Sequence, residues 1–188
     1  MGLLSLFKKD PDKIYYILSK NIAESALIYK EQVDAPSYRS SSNAGAEVIY
    51  LLMHLLDRES FNILGATQRD NVFDEVLKRV ISLNSLVDSE TLLKDLDARQ
   101  ELYGQLDTIT GDNFPSRGTV IFAFCFYVHK ALQKTFRNDL DDILLEKKDV
   151  DESNEKDFPD LTETMNASIF ITAVLSELEI AKHIKELQ

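Results

Sequence analysis

Apolar residues recur along this chain at steps of three and four, and that spacing predicts helices almost throughout. Ile14, Ile17, Leu18, Ile22, Ala26, Tyr29 and Val33 mark the inner face of a first helix. Asp10 and Pro11 stand just ahead of it. Aspartate can cap the free N–H groups of a helix start, and proline suits the first helical position, where its missing donor is not needed. Ala35–Gly45, with Pro36, several serines and Asn43, reads as a loop with too little apolar area to pack.

A second helix follows from about Ala46 to Leu64, with Val48, Leu51, Leu52, Leu55 and Leu56 inside and Gly65 placed to stop it. Thr67 and Asp70 have the spacing of a capping box for a third helix, with Asp where Glu or Gln is usual. Its stripe is Phe73, Val76, Leu77, Val80 and Val87. Ser89 is the expected cap of a fourth helix, whose stripe is Leu92, Leu96, Tyr103 and Leu106. Gly111, Pro115 and Gly118 make Thr110–Gly118 a loop. A last helix runs from about Leu161 to Leu187, with Ala167, Phe170, Ile171, Val174, Leu175, Leu178 and Ala181 on one side.

One segment breaks the amphipathic pattern. Val120–Val128 is an unbroken apolar run. A helix that is apolar all round has no face for water and must be buried on every side. Its aromatic and β-branched residues would also suit a strand. The helical continuation through His129, Lys130, Gln133 and Lys134, and the lack of another strand pattern, favour helix. The fold class expected is therefore all-α: a single domain over residues 1–188, a bundle of about six helices around a buried central helix at about 119–137. A short N-terminal arm (1–9) precedes the bundle, and an acidic connection (about 146–160) precedes the last helix.

The chain has 188 residues and a formal net charge of −11. That charge argues against nucleic-acid binding, which needs a basic surface, and against attraction to anionic lipid. No apolar stretch approaches the roughly 18 residues of a transmembrane helix. Cys125 has no partner in the chain, and its apolar setting predicts an inert thiol in a reducing, cytoplasmic compartment. In the arm, Leu6 stands where a myristoylation signal needs Ser or Thr, and Lys8 and Lys9 follow the apolar residues rather than precede them as in a secretory signal. Peripheral membrane contact by the arm is not expected. Leu3, Leu4, Leu6 and Phe7 either pack on the domain or, as a detachable end, dock on a partner.

Signatures of strong chemistry are missing from the sequence: P-loop, GxGxxG, HExxH, GxSxG and CxxC. Glu47, Tyr50 and His54 share one side of the second helix, and His129 closes the apolar run. If those helices are neighbours, Glu47, His54 and His129 could converge as an acid–base pair or a partial metal site. The plainer reading, which we prefer, has each histidine at a core boundary, bonded to a nearby carboxylate or carbonyl. His183 sits near the end of the last helix, where the helix dipole favours a cation.

Residues Asp139 to Glu163 hold eleven acids and three lysines, a net of −8. Within them Asp149, Asp151, Ser153, Glu155, Asp157 and Asp160 match the ligand spacing of a calcium loop. Asn154 replaces the turn glycine, Lys156 the apolar residue and Asp160 the bidentate glutamate, so a solvated linker is the preferred reading. No cofactor is expected. The function these features favour is a non-enzymatic helical adaptor or regulatory module that binds another protein or a second copy of itself. The alternative is a small-molecule-binding bundle or hydrolase using Glu47, His54 and His129.

Overall fold

The computed structural model describes residues 10–33, 41–109, 117–132 and 161–188. The arm with Leu3, Leu4, Leu6 and Phe7, and the calcium-loop positions 149–160, lie outside them. The regular structure of the described residues is entirely helical, and the all-α bundle is as the spacing predicts. The helices are α1 (Pro11–Gln32), α2 (Ser41–Leu64), α3 (Ala66–Leu83), α4 (Ser89–Ile109), α5 (Arg117–Leu132), α6 (Leu161–Leu178) and the short α7 (Ile180–Lys185).

α1 starts as the sequence dictates. Pro11 opens it, and the Asp10 carboxylate accepts a hydrogen bond from the Asp12 backbone N–H at 3.1 Å. Ile14, Leu18, Ile22, Ala26 and Tyr29 are buried against the rest of the bundle.

The centre is α2. Every residue from Ala44 to Asp57 is buried, and α1, α3, α4, α5 and α7 all pack on this helix. The expectation that the apolar run would be the enclosed rod is corrected here. α5 buries Val120, Ala123, Phe124 and Val128, but Phe122 is 62 % exposed. The reason is that Glu47, His54 and Asp57 do not form a wet face on α2. Each is buried with a bonding partner, which lets water leave the helix on all sides.

The predicted loop Ala35–Gly45 is also corrected: Ser41–Gly45 belong to α2. Gly45 serves a close helix crossing rather than a turn. A Cβ there would lie 2.8 Å from the Ala26 carbonyl oxygen and 3.0 Å from Lys30 Cβ. Gly65, at φ +79°, ends α2 and caps α3 without a side-chain bond, so Thr67 lies inside α3 and makes no capping box. The cap of α4 is Asp88 rather than Ser89: its carboxylate accepts from the Thr91 N–H at 2.9 Å and hydroxyl at 2.7 Å. The last helix is broken at Glu179, which takes a left-handed conformation at φ 43° and separates α6 from α7.

Candidate functional site

Sequence reasoning placed chemistry on α2, and the structure supplies its partners from α4. Arg99 donates two hydrogen bonds to the Glu47 carboxylate, 2.9 Å from Nε and 2.6 Å from Nη2. Its guanidinium also lies over the Tyr127 ring of α5, 3.4 Å from the centroid. Three helices thus meet at one guanidinium. Burial pushes the Glu47 carboxyl above its ordinary pKa, with Arg99 pulling it back. Burial also works against the charge of Arg99, but Glu47 more than reverses this and holds the guanidinium above its ordinary value. Since arginine stays charged, the forked fit is that of an ionised carboxylate.

Two turns along α2, His54 Nε2 lies 3.1 Å from Asp107 Oδ2 and Nδ1 lies 3.1 Å from Gln100 Oε1. Asp107 is also 3.3 Å from Arg58 Nε. With the Gln100 oxygen toward the ring, both ring nitrogens would have to donate, as only the imidazolium can. Burial instead lowers the His54 pKa, against the opposing pull of Gln100 and Asp107. In that same orientation the buried Nε2 of Gln100 has no partner. Turning the amide over resolves both conflicts: Gln100 Nε2 donates to Nδ1, and the neutral ring donates its Nε2–H to Asp107. Tyr103 packs between these pairs, its ring 5.2 Å from that of His54, with its hydroxyl buried and without a hydrogen-bond partner.

This seam has little room for a reaction. A cleft of about 260 Å³ opens beside His54 and is walled by Leu55, Arg58, Glu59, Asn62, Asp107 and Val120. Glu47 and His129 do not line it. His54 itself is 1 % exposed, and both of its nitrogens are engaged, so no lone pair is left for a general base. His129 is buried in α5, 4 % exposed, and has an interaction of its own. Among the described residues, no three His, Cys, Asp or Glu side chains are arranged to hold a metal ion. Cys125 is buried, and burial pushes its thiol up to about 11, as its apolar setting predicts. A larger cavity, about 620 Å³, lies where α2 meets the α6–α7 corner. Its floor is Leu55, Leu175 and Ile180, and its rim carries acids and lysines together.

The outer face of α6 is different in kind. No charged residue occurs from Met165 to Ser176. The exposed positions there are Met165, Asn166, Ile169, Thr172, Ala173 and Ser176. Met165 is 61 % and Ile169 64 % exposed. Met165, Ile169, Thr172 and Ser176 follow steps of four, three and four, the seam of a helix that packs on another helix. The two hydroxyls are turned inward. Thr172 donates to the Ser168 carbonyl at 2.8 Å, and Ser176 to the Ala173 carbonyl at 2.7 Å. The surface left to solvent is uncharged, with Met165, Ile169 and Ala173 beside Asn166, Thr172 and Ser176. α5, which packs on α6, also carries an exposed aromatic side chain, Phe122.

Sequence reasoning missed both sets. Arg99 stands in step with Leu92, Leu96, Tyr103 and Leu106, and a cation within a buried stripe demands a buried acid. The α6 face was legible as twelve uncharged residues in a chain with 28 % charged residues.

No protein-family model, no curated protein and no solved structure matches this chain. Among the described residues, no helix is long and apolar enough to cross a membrane.

Proposed function

We propose that this protein is a non-enzymatic helical module that binds another protein through the outer face of α6. One observation carries the reading: Met165 and Ile169 stand exposed at helix-packing spacing on a face without charge. Burying such a side chain stabilises by about 1.5–3 kcal/mol relative to leaving it in water. A stripe of them, with inward-turned hydroxyls and an alanine, lets a second helix approach closely. The polar seam between α2 and α4 supports the same reading from the other side. Its ionisable groups are engaged with one another and are used to hold the bundle.

The test is capture from lysate of the source cells with three forms of the full chain: wild type, Ile169→Asp and His54→Gln. Partners lost with Ile169→Asp and retained with His54→Gln are the expected result. Loss with His54→Gln alone, with its melting temperature unchanged, would replace this reading by one centred on the cleft beside His54.

A further inference from the structure

We infer that His54 and Gln100 form a proton-operated latch between α2 and α4: proton uptake by the ring turns the Gln100 amide over and loosens the Gln100–Asp107 stretch of α4. Gln100 and Asp107 stand about two turns apart on one side of α4, and the His54 ring bonds to both. The neutral ring has one donor and one acceptor. Its Nε2–H goes to Asp107, and its Nδ1 accepts from the Gln100 NH2 group. The imidazolium has two donors. Asp107 still accepts from Nε2–H, but Nδ1–H now needs the Gln100 oxygen. The 3.1 Å separations at both nitrogens serve either state. A half-turn of the carboxamide takes one state to the other with almost no change of shape.

The half-turn is not neutral for the rest of the seam. With the oxygen toward the ring, the buried Gln100 Nε2 has no partner. The Tyr103 hydroxyl, on the same side of α4, does not take it up, since it too lacks a partner. An amide N–H held away from water without a partner is costly. Water relieves it only where α4 draws away from α2. The cleft beside His54 offers that place, because it already reaches the ring between Asp107 and Arg58.

The surrounding charges set where the latch works. Asp107 on α4 favours the charged ring, and Arg58 on α2, 3.3 Å from Asp107, opposes it. Asp57 on α2 is held by Arg69 of α3. Glu59 on α2 lines the cleft, and α5 presents the apolar Val120 there. Burial outweighs Asp107 and keeps the ring's pKa below its ordinary value, so the latch opens below about pH 6.5. The paired Arg99 and Glu47 keep the preceding part of α4 attached, so the opening is local.

The test is an NMR titration of the full chain, labelled with nitrogen-15, from about pH 7.5 to about pH 5. It follows the His54 ring nitrogens, the Gln100 side-chain NH2 signals and hydrogen-exchange protection along each helix. At the upper pH the ring should be neutral and protonated on Nε2. The Gln100 NH2 signals should move with the midpoint of His54. Protection of the Gln100–Asp107 amides should fall about tenfold at that midpoint, while α1 and α3 keep theirs. Gln100→Glu offers oxygens only. It should raise the His54 midpoint by about one pH unit or more and abolish the fall in protection. A neutral ring protonated on Nδ1 would overturn the latch, as would Gln100 signals indifferent to His54. So would α4 protection that does not change, or that falls together with every other helix. The wild-type titration decides the matter even if Gln100→Glu does not fold.

Discussion

Arg99 of α4 holds Glu47 of α2 by two hydrogen bonds beneath the surface, 88 % of the Arg99 side chain and 94 % of the Glu47 side chain being out of water. A buried pair of this kind is costly to break, because the group left behind keeps its charge without a partner. Glu47→Ala or Arg99→Ala should each cost about 3–5 kcal/mol in urea unfolding. Replacing both together, by Glu47→Leu with Arg99→Met, should recover most of the loss. A double variant as unstable as the single ones would show that the helices are fixed by other contacts.

His54 gives a pH dependence with a definite sign. Its folded pKa is lowered, chiefly by burial. The unfolded chain takes up a proton there near pH 6.5, and the folded chain only at lower pH. Acidification therefore favours unfolding. The stability conferred by the neutral ring is complete above about pH 6.5 and is lost as pH falls through the window below it, by at most about 1.4 kcal/mol per pH unit. Glu47, whose pKa is raised, acts in the opposite sense in its own range. Comparison of wild type with His54→Gln at each pH isolates the histidine. Wild type should lose stability relative to the variant on acidification from about pH 7.5 to about pH 5.5. A relative gain would mean that Asp107 keeps the imidazole charged in the folded protein.

Tyr103 is fully buried with an unpartnered hydroxyl, and burial raises its pKa well above the ordinary value. Removing an unpaired buried polar atom relieves its desolvation, a cost of about 1–3 kcal/mol. Tyr103→Phe should therefore be neutral or stabilising in thermal and urea melts. A loss beyond about 1 kcal/mol would show that the hydroxyl has a partner in solution.

Much of the fold was legible in the sequence because apolar spacing reports burial directly. Asp10, Pro11 and Gly65 sit at helix ends as their chemistry dictates. The centre was not legible for the same reason. The run at Val120 is more apolar than α2, so it looked more deeply buried. What buries α2 is pairing across space, Glu47 with Arg99 and Asp57 with Arg69, and no local pattern displays that. The sequence marks Glu47 and His54 on α2, whereas their partners Arg99, Gln100 and Asp107 stand on α4, where no local pattern points to them. Gly45 misled in another way: glycine beside serines suggests a turn, whereas here it lets two helices touch.

That last point can be measured. Gly45→Ala adds helix propensity worth about 1 kcal/mol, which alone would stabilise. Its Cβ would meet the Ala26 carbonyl oxygen at 2.8 Å, backbone that cannot swing aside. Overpacking of this kind costs about 1–3 kcal/mol, so the variant should melt lower than wild type. A higher melting temperature would mean that α1 and α2 separate more easily than their crossing implies.

The central claim, that the outer face of α6 is where this protein meets another, is tested most directly by site-specific photocrosslinking in the source cells. A photoreactive phenylalanine analogue is placed at Ile169, at Ala173, and at the exposed Asp74 of α3 as a control. All three positions are exposed, so each labelled chain should fold. The account predicts the same discrete crosslinked protein at 169 and 173, and no such product at 74. Labelled chains that remain uncrosslinked at 169 and 173, or that crosslink equally from 74, would contradict it.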